Sequence, residues 1–341
     1  MTGNPRHFAI GTFDRLDGKA FPALVLQEDA RSRIVPLSAL DSLGEAGARI
    51  AAFPSVLALL EAWDAALPLL VQARSLLDTD AGRAVPRLAL DTLHVRPPVD
   101  LPRQILCTGA NYRTHVIEML AHQPSPGEEA LSEEEGRERT ARMMDERARN
   151  GKPYAFSKLP SAVTGPFDPI RLPADVAEPD WELELAVVIG RPARHVRRDQ
   201  AFDHIAGYAV ANDVSARDHF YRPDIPALAS DPLAGKSPPT FLPFGPWITP
   251  AIFVGDPQDL RIELLLNGET MQDGNSGDMI FDIARQIEYL SQRVQLLPGD
   301  VVCTGSPSGN GTMYGRFLRP GDVVEGRITG LGTIRNICEQ E

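Results

Sequence analysis

Short runs of alternating apolar and polar residues stand near the start of the chain. The runs His7 to Phe13, Lys19 to Gln27 and Arg33 to Leu37 predict three strands, because successive strand side chains point to opposite faces. Asp17-Gly18 lies between the first two runs and predicts a hairpin turn. The chain is therefore expected to begin with strands.

A longer segment follows in which the apolar residues recur at the spacing of a helix rather than of a strand. Ser55 to Leu77 carries apolar residues at helical spacing, and Pro68 within it is expected to break or kink the helix. The Pro-rich run at 95–99 predicts a stiff joint. We therefore predict a small α+β N-terminal domain over residues 1–95 and a larger domain over residues 100–341.

The larger domain shows mostly β patterns. Asn267-Gly268 follows an alternating run and predicts a hairpin. The sequence Pro-Gly-Asp-Val-Val occurs at 298–302 and at 320–324, which predicts two strand entries in one β-rich domain. Strands are predicted at Gln104 to Thr108, Trp181 to Ile189, Ile205 to Val210 and Leu260 to Leu266, and helices from Asn111 onward and at Asp278 to Gln295.

A charge-dense stretch, Glu128 to Asn150, interrupts these patterns. Ser132 followed by Glu135 is a capping box, and Asn150-Gly151 is a plausible helix end. The stretch is either a solvated surface helix or part of a mobile lid inserted over residues 121–152. The sequence leaves both interpretations open.

Composition excludes several classes of protein. The 341 residues are 43 % hydrophobic and 23 % charged, which is ordinary for a globular protein. A net charge of -12 would repel a phosphate backbone, so no nucleic-acid partner is expected. No run of about 18 apolar residues occurs, so no membrane span is expected.

The cysteines point to a reducing compartment. Cys107, Cys303 and Cys338 contain no CxxC pair, so neither a disulfide framework nor a zinc site is indicated. Cys107 and Cys303 lie in apolar runs and are expected to pack in the core. Met1 to Ile10 is polar and unlike a signal peptide. We therefore expect a cytoplasmic protein.

Two acids in an apolar strand are the first candidate for chemistry. Glu182 and Glu184 are two residues apart and so share one face of the predicted strand. Two buried carboxylates repel each other, and a divalent cation removes that repulsion. Oxygen ligands suit Mg²⁺, Mn²⁺ or Ca²⁺ rather than zinc. The alternative is an edge strand with its acids in water.

Two further segments offer partners for these acids. Asp213 and Arg217 follow the strand that ends at Val210, where Asp213 can supply a third carboxylate and Arg217 can hold an anion. His115 and Glu118 share a face if Asn111 caps a helix. The glutamate would then polarise the imidazole, which would take a proton from water. An ordinary turn and a surface pair are the structural alternatives.

Together these segments resemble the fumarylacetoacetate hydrolase family. The resemblance runs in the family's order from about Leu106 to Asn336, which covers nearly all of the larger domain. The matching stretches are GANYRTH at 109–115, FSKLPS at 156–161, ELELAVVIG at 182–190, GY at 207–208, NDVSARD at 212–218, GKS at 235–237, FLPFGPW at 241–247, NG at 267–268, PGDV at 298–301, TGSPSG at 304–309 and PGDVV at 320–324.

The resemblance implies a fold and a set of roles. The fold would be mixed and mainly β, a roll or barrel of antiparallel sheets with few helices, and the protein would be a homodimer. Glu182, Glu184 and Asp213 would bind Mg²⁺, or Mn²⁺ or Ca²⁺. His115 and Glu118 would activate water, and Lys236 would stabilise or protonate the leaving enolate. Substrate contacts would come from Tyr112, Lys158, Ser161, Arg217, Thr304, Gly305 and Ser306.

The chain also departs from its relatives. No acid lies just upstream of His115, at the position of the fourth acidic ligand of the animal enzymes, so a three-carboxylate site like that of the bacterial acylpyruvase-like branch is expected. Phe220 stands where the family often has Gln, and Glu128 to Asn150 is longer than in the small members. Both differences lie where substrate choice is expected.

Several conspicuous residues are interpreted as structural. His195 lies in a basic loop that is an exposed turn or a subunit contact, and His204 and His219 are more often structural than catalytic. The Gly-rich run at 305–311 lacks the Lys-Ser/Thr ending of a P-loop, so ATP binding is not indicated.

The sequence therefore predicts a metal-dependent hydrolase. It would cleave a carbon–carbon bond of an acylpyruvate or another 1,3-dicarbonyl oxo acid, with the metal stabilising the enolate. An oxaloacetate-type decarboxylase, an isomerase or a hydratase on the same fold is the first alternative, because fold does not fix the reaction. A non-catalytic metal- or ligand-binding protein is the second.

Overall fold

The computed structural model of the chain describes residues 6–15, 18–28, 31–120, 132–224 and 230–341. Asp17 of the expected hairpin turn and residues 121–131 of the possible lid lie outside the described residues.

Strands form the framework of the molecule. In the described ranges they are β1 (Ala9–Arg15), β2 (Phe21–Glu28), β3 (Arg31–Pro36), β4 (Leu88–Ala89), β5 (Leu93–Val95), β6 (Ile105–Gly109), β7 (Tyr154–Lys158), β8 (Val163–Thr164), β9 (Ile170–Leu172), β10 (Pro179–Asp180), β11 (Leu183–Ile189), β12 (Ile205–Asn212), β13 (Ser215–Ala216), β14 (Leu242–Pro250), β15 (Arg261–Leu266), β16 (Glu269–Asn275), β17 (Val301–Cys303), β18 (Val323–Ile328) and β19 (Gly332–Gln340).

Most of the helices are short. They are α1 (Glu45–Ala51), α2 (Val56–Glu61), α3 (Trp63–Leu76), α4 (Asp80–Arg83), α5 (Arg113–Leu120), α6 (Glu133–Asn150), α7 (Arg217–Phe220), α8 (Pro232–Lys236), α9 (Ile283–Ser291) and α10 (Gly311–Tyr314). Short 3-10 helices occur at Leu37–Leu43, Leu90–Thr92, Pro160–Ala162, Arg198–His204, Ala251–Phe253 and Ser276–Asp278.

Over the described residues the strands join into one twelve-stranded sheet, one five-stranded sheet and the β10–β13 pair. The large sheet has the order β4-β3-β2-β1-β14-β12-β11-β17-β6-β7, with β5 on β1 and β8 on β14, and the smaller has the order β16-β15-β18-β19-β9. Strands β11 and β12 are antiparallel, whereas β17 and β6 are parallel. The predicted mixed, mainly β fold is confirmed.

The alternation of β11 separates two hydrophobic cores. Leu183, Leu185, Val187 and Ile189 pack in one core with the five-stranded sheet. Ala186 and Val188 point to the other face, into a core that they share with the N-terminal helices α2 and α3. Because strand side chains alternate, Glu184 projects on the same face as Ala186.

The N-terminal residues complete the large sheet. Strand β1 pairs with β14 through Ile10 and Ile248. Phe8 and Ile10 share a core with Val188 and Ile248. The sheet and core therefore continue across the expected joint at residues 95–99, and the division into domains 1–95 and 100–341 stays a prediction.

Two local expectations need correction. The segment 55–77 is broken at Ala62, where φ is -113°, and α3 continues through Pro68, so Pro68 does not end the helix and a kink there stays a prediction. Tertiary packing decides this, because Trp63, Ala66 and Leu70 of α3 are buried in the core. The helix expected from Asp278 begins only at Ile283. There the Asp282 side chain accepts a hydrogen bond from the Arg285 N–H at 2.7 Å and caps the first turn.

The described part of the charge-dense stretch is a packed helix. Ser132 and Glu135 form the predicted capping box at the start of α6. Met144 packs with Val116 and Ile117 of α5, while Met143 is 48 % exposed. Helix α6 thus buries one face against α5, and closure of a lid over residues 121–152 stays a prediction.

The cysteines and the helices agree with two expectations. Cys107, Cys303 and Cys338 are unpaired and buried, so the predicted core packing of Cys107 and Cys303 is confirmed. No described helix combines the length and the apolar character needed to cross a membrane.

A histidine joins the N-terminal residues to the rest of the chain. His94 Nε2 lies 2.7 Å from Asp168 Oδ1, and its Nδ1 lies 3.4 Å from Asp14 Oδ2. The hydrogen bond to Asp168 raises the pKa of His94, although partial burial opposes it. The contribution of protonated His94 to the free energy of unfolding is therefore fully present below the unfolded-state pKa of 6.5. It is lost as the pH rises through the raised folded-state pKa.

We predict that His94→Gln lowers the thermal unfolding midpoint more at about pH 5.5 than at about pH 9. The protonated imidazole can donate to both Asp168 and Asp14 and is attracted to their charges, whereas the neutral ring can donate to only one of them. Circular dichroism melts of both proteins at the two pH values measure the difference. Equal losses at both pH values would contradict the ion pair.

Candidate active site

Three acidic side chains meet where β11 begins and β12 ends. The Asp213 N–H donates to the Glu182 carbonyl at 2.8 Å, and the Glu182 N–H donates to Asn212 Oδ1 at 2.9 Å. These bonds extend the antiparallel register of the two strands by one residue. Carboxylate oxygens of Glu182, Glu184 and Asp213 consequently lie within 4.8 Å of one another.

The carboxylates are buried and surrounded by cations. Glu184 is 2 % exposed and Asp213 is fully buried. Lys158 Nζ lies 2.6 Å from Asp213 Oδ1. Lys236 Nζ lies 2.6 Å from both Glu182 Oε2 and Asp213 Oδ2. Because removing one partner of such a group leaves a buried charge uncompensated, the lysines and carboxylates depend on each other.

Glu182 and Glu184 have opposite electrostatic environments. Burial alone would raise the pKa of Glu182, but Arg217 and Lys236 outweigh it and hold that pKa below its usual range. Arg217 Nη2 lies 2.5 Å from Glu182 Oε1. Burial raises the pKa of Glu184 well above its usual value, and the nearby Cys303 and Asp213 add to the effect.

The acidic cluster fits a divalent cation. Glu184 accepts a hydrogen bond from the Gly305 N–H at 2.7 Å, and within the described residues no salt bridge reaches it. It is therefore the carboxylate of the three that lacks a cation partner. Three carboxylates with oxygen ligands are the donor set that Mg²⁺, Mn²⁺ or Ca²⁺ prefers.

His115 and Glu118 are carried by the short helix α5. Burial lowers the pKa of His115, so the imidazole is neutral near pH 7. Among the described residues its buried Nδ1 has no hydrogen-bond partner. Glu118 accepts a hydrogen bond from the Ser308 hydroxyl instead. The helix thus brings both residues to the site, but no described hydrogen bond joins them.

A cavity of about 170 Å³ opens onto the acidic cluster. Larger cavities lie elsewhere, among them one of about 250 Å³ beside Phe21 and Leu101 with Asp100 as its acid and no basic residue. Because Glu182 and Glu184 line the cavity of about 170 Å³, we place the site there. Its walls are formed by Thr108, Gly109, Ala110, His115, Met119, Tyr154, Phe156, Glu182, Glu184, Arg217, Phe220, Pro232, Lys236, Gly305 and Ser306.

Four expected substrate contacts lie elsewhere. Tyr112 and Thr304 are fully buried, and Thr304 donates to the Leu185 carbonyl at 2.9 Å. Lys158 is buried behind Asp213. Ser161 is exposed on the turn Pro160–Ala162. None of the four is among the residues that line the cavity, whereas Arg217, Gly305 and Ser306 are.

Sequence reasoning missed Asp180. This carboxylate is fully buried and accepts hydrogen bonds from Arg217 Nε at 2.9 Å, the Gly311 N–H at 2.6 Å and the Thr312 hydroxyl at 2.9 Å. It therefore fixes Arg217 against the loop that follows β17. The signal was present, because Asp180 stands two residues before Glu182 and continues the same alternation.

Comparison with known proteins places the site in a matched region. A model of the fumarylacetoacetate hydrolase C-terminal domain matches residues 104–338. A mitochondrial oxaloacetate tautomerase of Homo sapiens is 38 % identical over 241 residues, which are 70 % of this chain and 67 % of that protein. A 2,4-didehydro-3-deoxy-L-rhamnonate hydrolase of Sphingomonas sp. (strain SKA58) is 38 % identical over 241 residues, 70 % of this chain and 74 % of that protein.

Solved structures extend the likeness to almost the whole chain. A fumarylacetoacetate hydrolase from Exiguobacterium antarcticum is 28 % identical, with a TM-score of 0.73 over 98 % of this chain and 100 % of that chain. A maleylpyruvate hydrolase from Sphingobium sp. SYK-6, in complex with manganese(II) and pyruvate, is 26 % identical, with a TM-score of 0.68 over 97 % of this chain and 99 % of that chain. These proteins share a fold, but their names describe different reactions.

We predict that Glu184→Gln lowers Mn²⁺ affinity by roughly a hundredfold or more, since loss of even an outer partner of a ligand costs about 10–100-fold. The substitution keeps the size of the side chain and removes its charge. Electron paramagnetic resonance of free Mn²⁺ measures the affinity. Glu269→Gln on the exposed edge of β16 is the control. Unchanged affinity in Glu184→Gln would exclude it as a ligand.

Proposed function

This chain belongs to the fumarylacetoacetate hydrolase family, and from that premise we propose that it is a metal-dependent hydrolase of a carbon–carbon bond in an acylpyruvate or a related 1,3-dicarbonyl acid. One observation carries the proposal. His115, with a buried Nδ1 that lacks a partner, lines the same cavity as Glu182, Glu184 and Lys236. A neutral base, two carboxylates of the acidic cluster and an ammonium thus face one space.

Glu182, Glu184 and Asp213 would hold the ion, Mg²⁺ or otherwise Mn²⁺ or Ca²⁺. When bound, the ion would supply a Lewis acid for the oxygens of the substrate. The manganese(II) in the maleylpyruvate hydrolase structure supports this choice of chemistry. Arg217, held by Asp180, would orient the carboxylate of the substrate from the cavity wall.

His115 would act as the general base. Its lowered pKa keeps the imidazole neutral, so it can take a proton from a water molecule. The water oxygen would bond to the acyl carbon, and the bond between that carbon and the neighbouring methylene would break. Glu118 and Ser308 would position the helix that carries His115. The products would be a free acid and pyruvate.

Lys236 would stabilise the negative charge that develops on the departing enolate. Burial would lower the pKa of Lys236, but Asp213 and Glu182 outweigh it and raise that pKa. The ammonium therefore keeps its proton near neutral pH. It would stabilise the departing enolate, which becomes pyruvate when its carbon takes up a proton.

An oxaloacetate tautomerase-type reaction is the second candidate. The name of the human relative supports it, as does the lack of a described hydrogen bond between His115 and Glu118, since enolisation needs no activated water. A non-catalytic binding protein is less well supported, because His115, Lys236, Glu182 and Glu184 line one cavity.

We also propose a homodimer. The human relative is mitochondrial by name, so a cytoplasmic location stays a prediction.

We predict that the purified protein releases pyruvate and a free acid from acylpyruvates when Mn²⁺ is present and not after treatment with EDTA. Mass spectrometry identifies the products of a panel that also contains oxaloacetate and linear β-diketones. Conversion between the keto and enol forms of oxaloacetate, without cleavage of any acylpyruvate, would move the assignment to the tautomerase.

We predict that His115→Ala keeps Mn²⁺ affinity but lowers hydrolysis by about 10²–10⁴-fold, the usual contribution of a general base. His219→Gln is the matched control. His219 lies two residues after Arg217, close to the site in sequence. Its Nε2 lies 3.0 Å from the Asp175 carbonyl, and the residue does not line the cavity. Retained hydrolysis in His115→Ala would exclude it as the base.

A further inference from the structure

The cavity has two chemically different parts. The charged groups lie deep, since Glu184 is 2 % exposed and Lys236 is 3 % exposed. Apolar side chains stand at the mouth, where Met119 is 38 % and Tyr154 is 53 % exposed. Such a cavity suits a ligand with a polar head and an apolar end. The larger apolar lining residues are Met119, Tyr154, Phe156, Phe220 and Pro232.

The apolar wall begins directly beside the charged cluster. Lys236 Nζ lies 5.2 Å from the centre of the Phe156 ring and 5.9 Å from that of the Phe220 ring. The same ammonium contacts Glu182 and Asp213 at 2.6 Å. A substituent attached next to the oxo groups of a bound acid would therefore meet the two rings.

The position of Phe220 is fixed by its neighbours. A side chain at Gly235 would bring its Cβ within 2.7 Å of the Phe220 ring, so the ring rests on the backbone of α8. The Phe220 carbonyl also accepts a hydrogen bond from the Asp231 N–H at 2.8 Å. The wall is thus formed before a ligand arrives.

A second carboxylate on the ligand would find no cation without a carboxylate partner among the described residues that line the cavity. Arg217, which would orient the first carboxylate, already contacts Asp180 at 2.9 Å and Glu182 at 2.5 Å. Lys236 is held by Glu182 and Asp213. An anionic tail would lose its water beside Phe156 and Phe220 without a new ion pair, which is costly.

We propose that the substrate carries an uncharged, apolar group next to its oxo-acid head, and that Phe220 is the residue that selects this group. The inference rests on the proposed function, which supplies the head. It names a substrate class, acylpyruvates with an alkyl or aryl acyl group, and disfavours dicarboxylates such as oxaloacetate.

Two oxo acids of equal chain length test the inference. The probes are 2-oxohexanoate, which ends in a methyl group, and 2-oxoadipate, which ends in a carboxylate. Both are titrated by calorimetry into the full-length protein loaded with Mn²⁺. We expect 2-oxohexanoate to bind at least about tenfold more tightly, since each buried methylene contributes about fourfold in affinity.

Substitutions at Phe220 assign the effect to one side chain. Phe220→Gln should abolish most of the preference for 2-oxohexanoate over 2-oxoadipate, whereas Phe220→Leu should retain that preference. Tyr221→Gln is the matched control, because Tyr221 is adjacent, 58 % exposed and absent from the cavity wall. Thermal melts establish that each variant is folded.

Each outcome decides the inference. Equal binding of the two probes, each dependent on Mn²⁺, would leave the oxo-acid site standing and overturn the apolar selection. A preference that survives Phe220→Gln would overturn the role of Phe220. Failure of pyruvate and both probes to bind would overturn the proposed function and this inference with it.

Discussion

Three carboxylates held together away from water are the constraint on which the rest of the structure depends. Glu182, Glu184 and Asp213 cannot stay charged side by side without cations. Lys158 and Lys236 each form an ion pair with Asp213. Arg217, on the wall of the cavity, forms an ion pair with Glu182. Of the three, only Glu184 has no such partner among the described residues, so the cluster could hold one further cation.

The same arrangement links binding to chemistry. Electrostatic interactions strengthen where water is excluded, and the rings of Phe156 and Phe220 exclude it next to Lys236. An apolar wall therefore does more than accept an apolar group. It also keeps the dielectric constant low around the groups that would polarise the oxo acid, so substrate selection and charge stabilisation draw on the same side chains.

The sequence predicted the local parts of the site better than its long-range pairing. Strand alternation placed Glu182 and Glu184 on one face, and the structure brings Asp213 beside them and His115 to the wall of the same cavity. Spacing carries no information on which distant groups pair. Lys158, which the sequence predicts to touch the substrate, lies against Asp213, and its contact with a substrate stays a prediction. Asp180 lay within the same alternation and was overlooked. At Pro68 tertiary packing outweighed a local helix-breaking preference.

The pairing of Ile10 with Ile248 also bears on synthesis. A ribosome releases β1 long before β14, so the first strands leave the exit tunnel while the edge that β1 will occupy does not yet exist. An unpaired edge is a template for the wrong neighbour, and sheets closed by such distant contacts form slowly. The part of the β1 edge that pairs with β14 therefore stays open until most of the polypeptide has been made, so the large sheet cannot be completed early in synthesis.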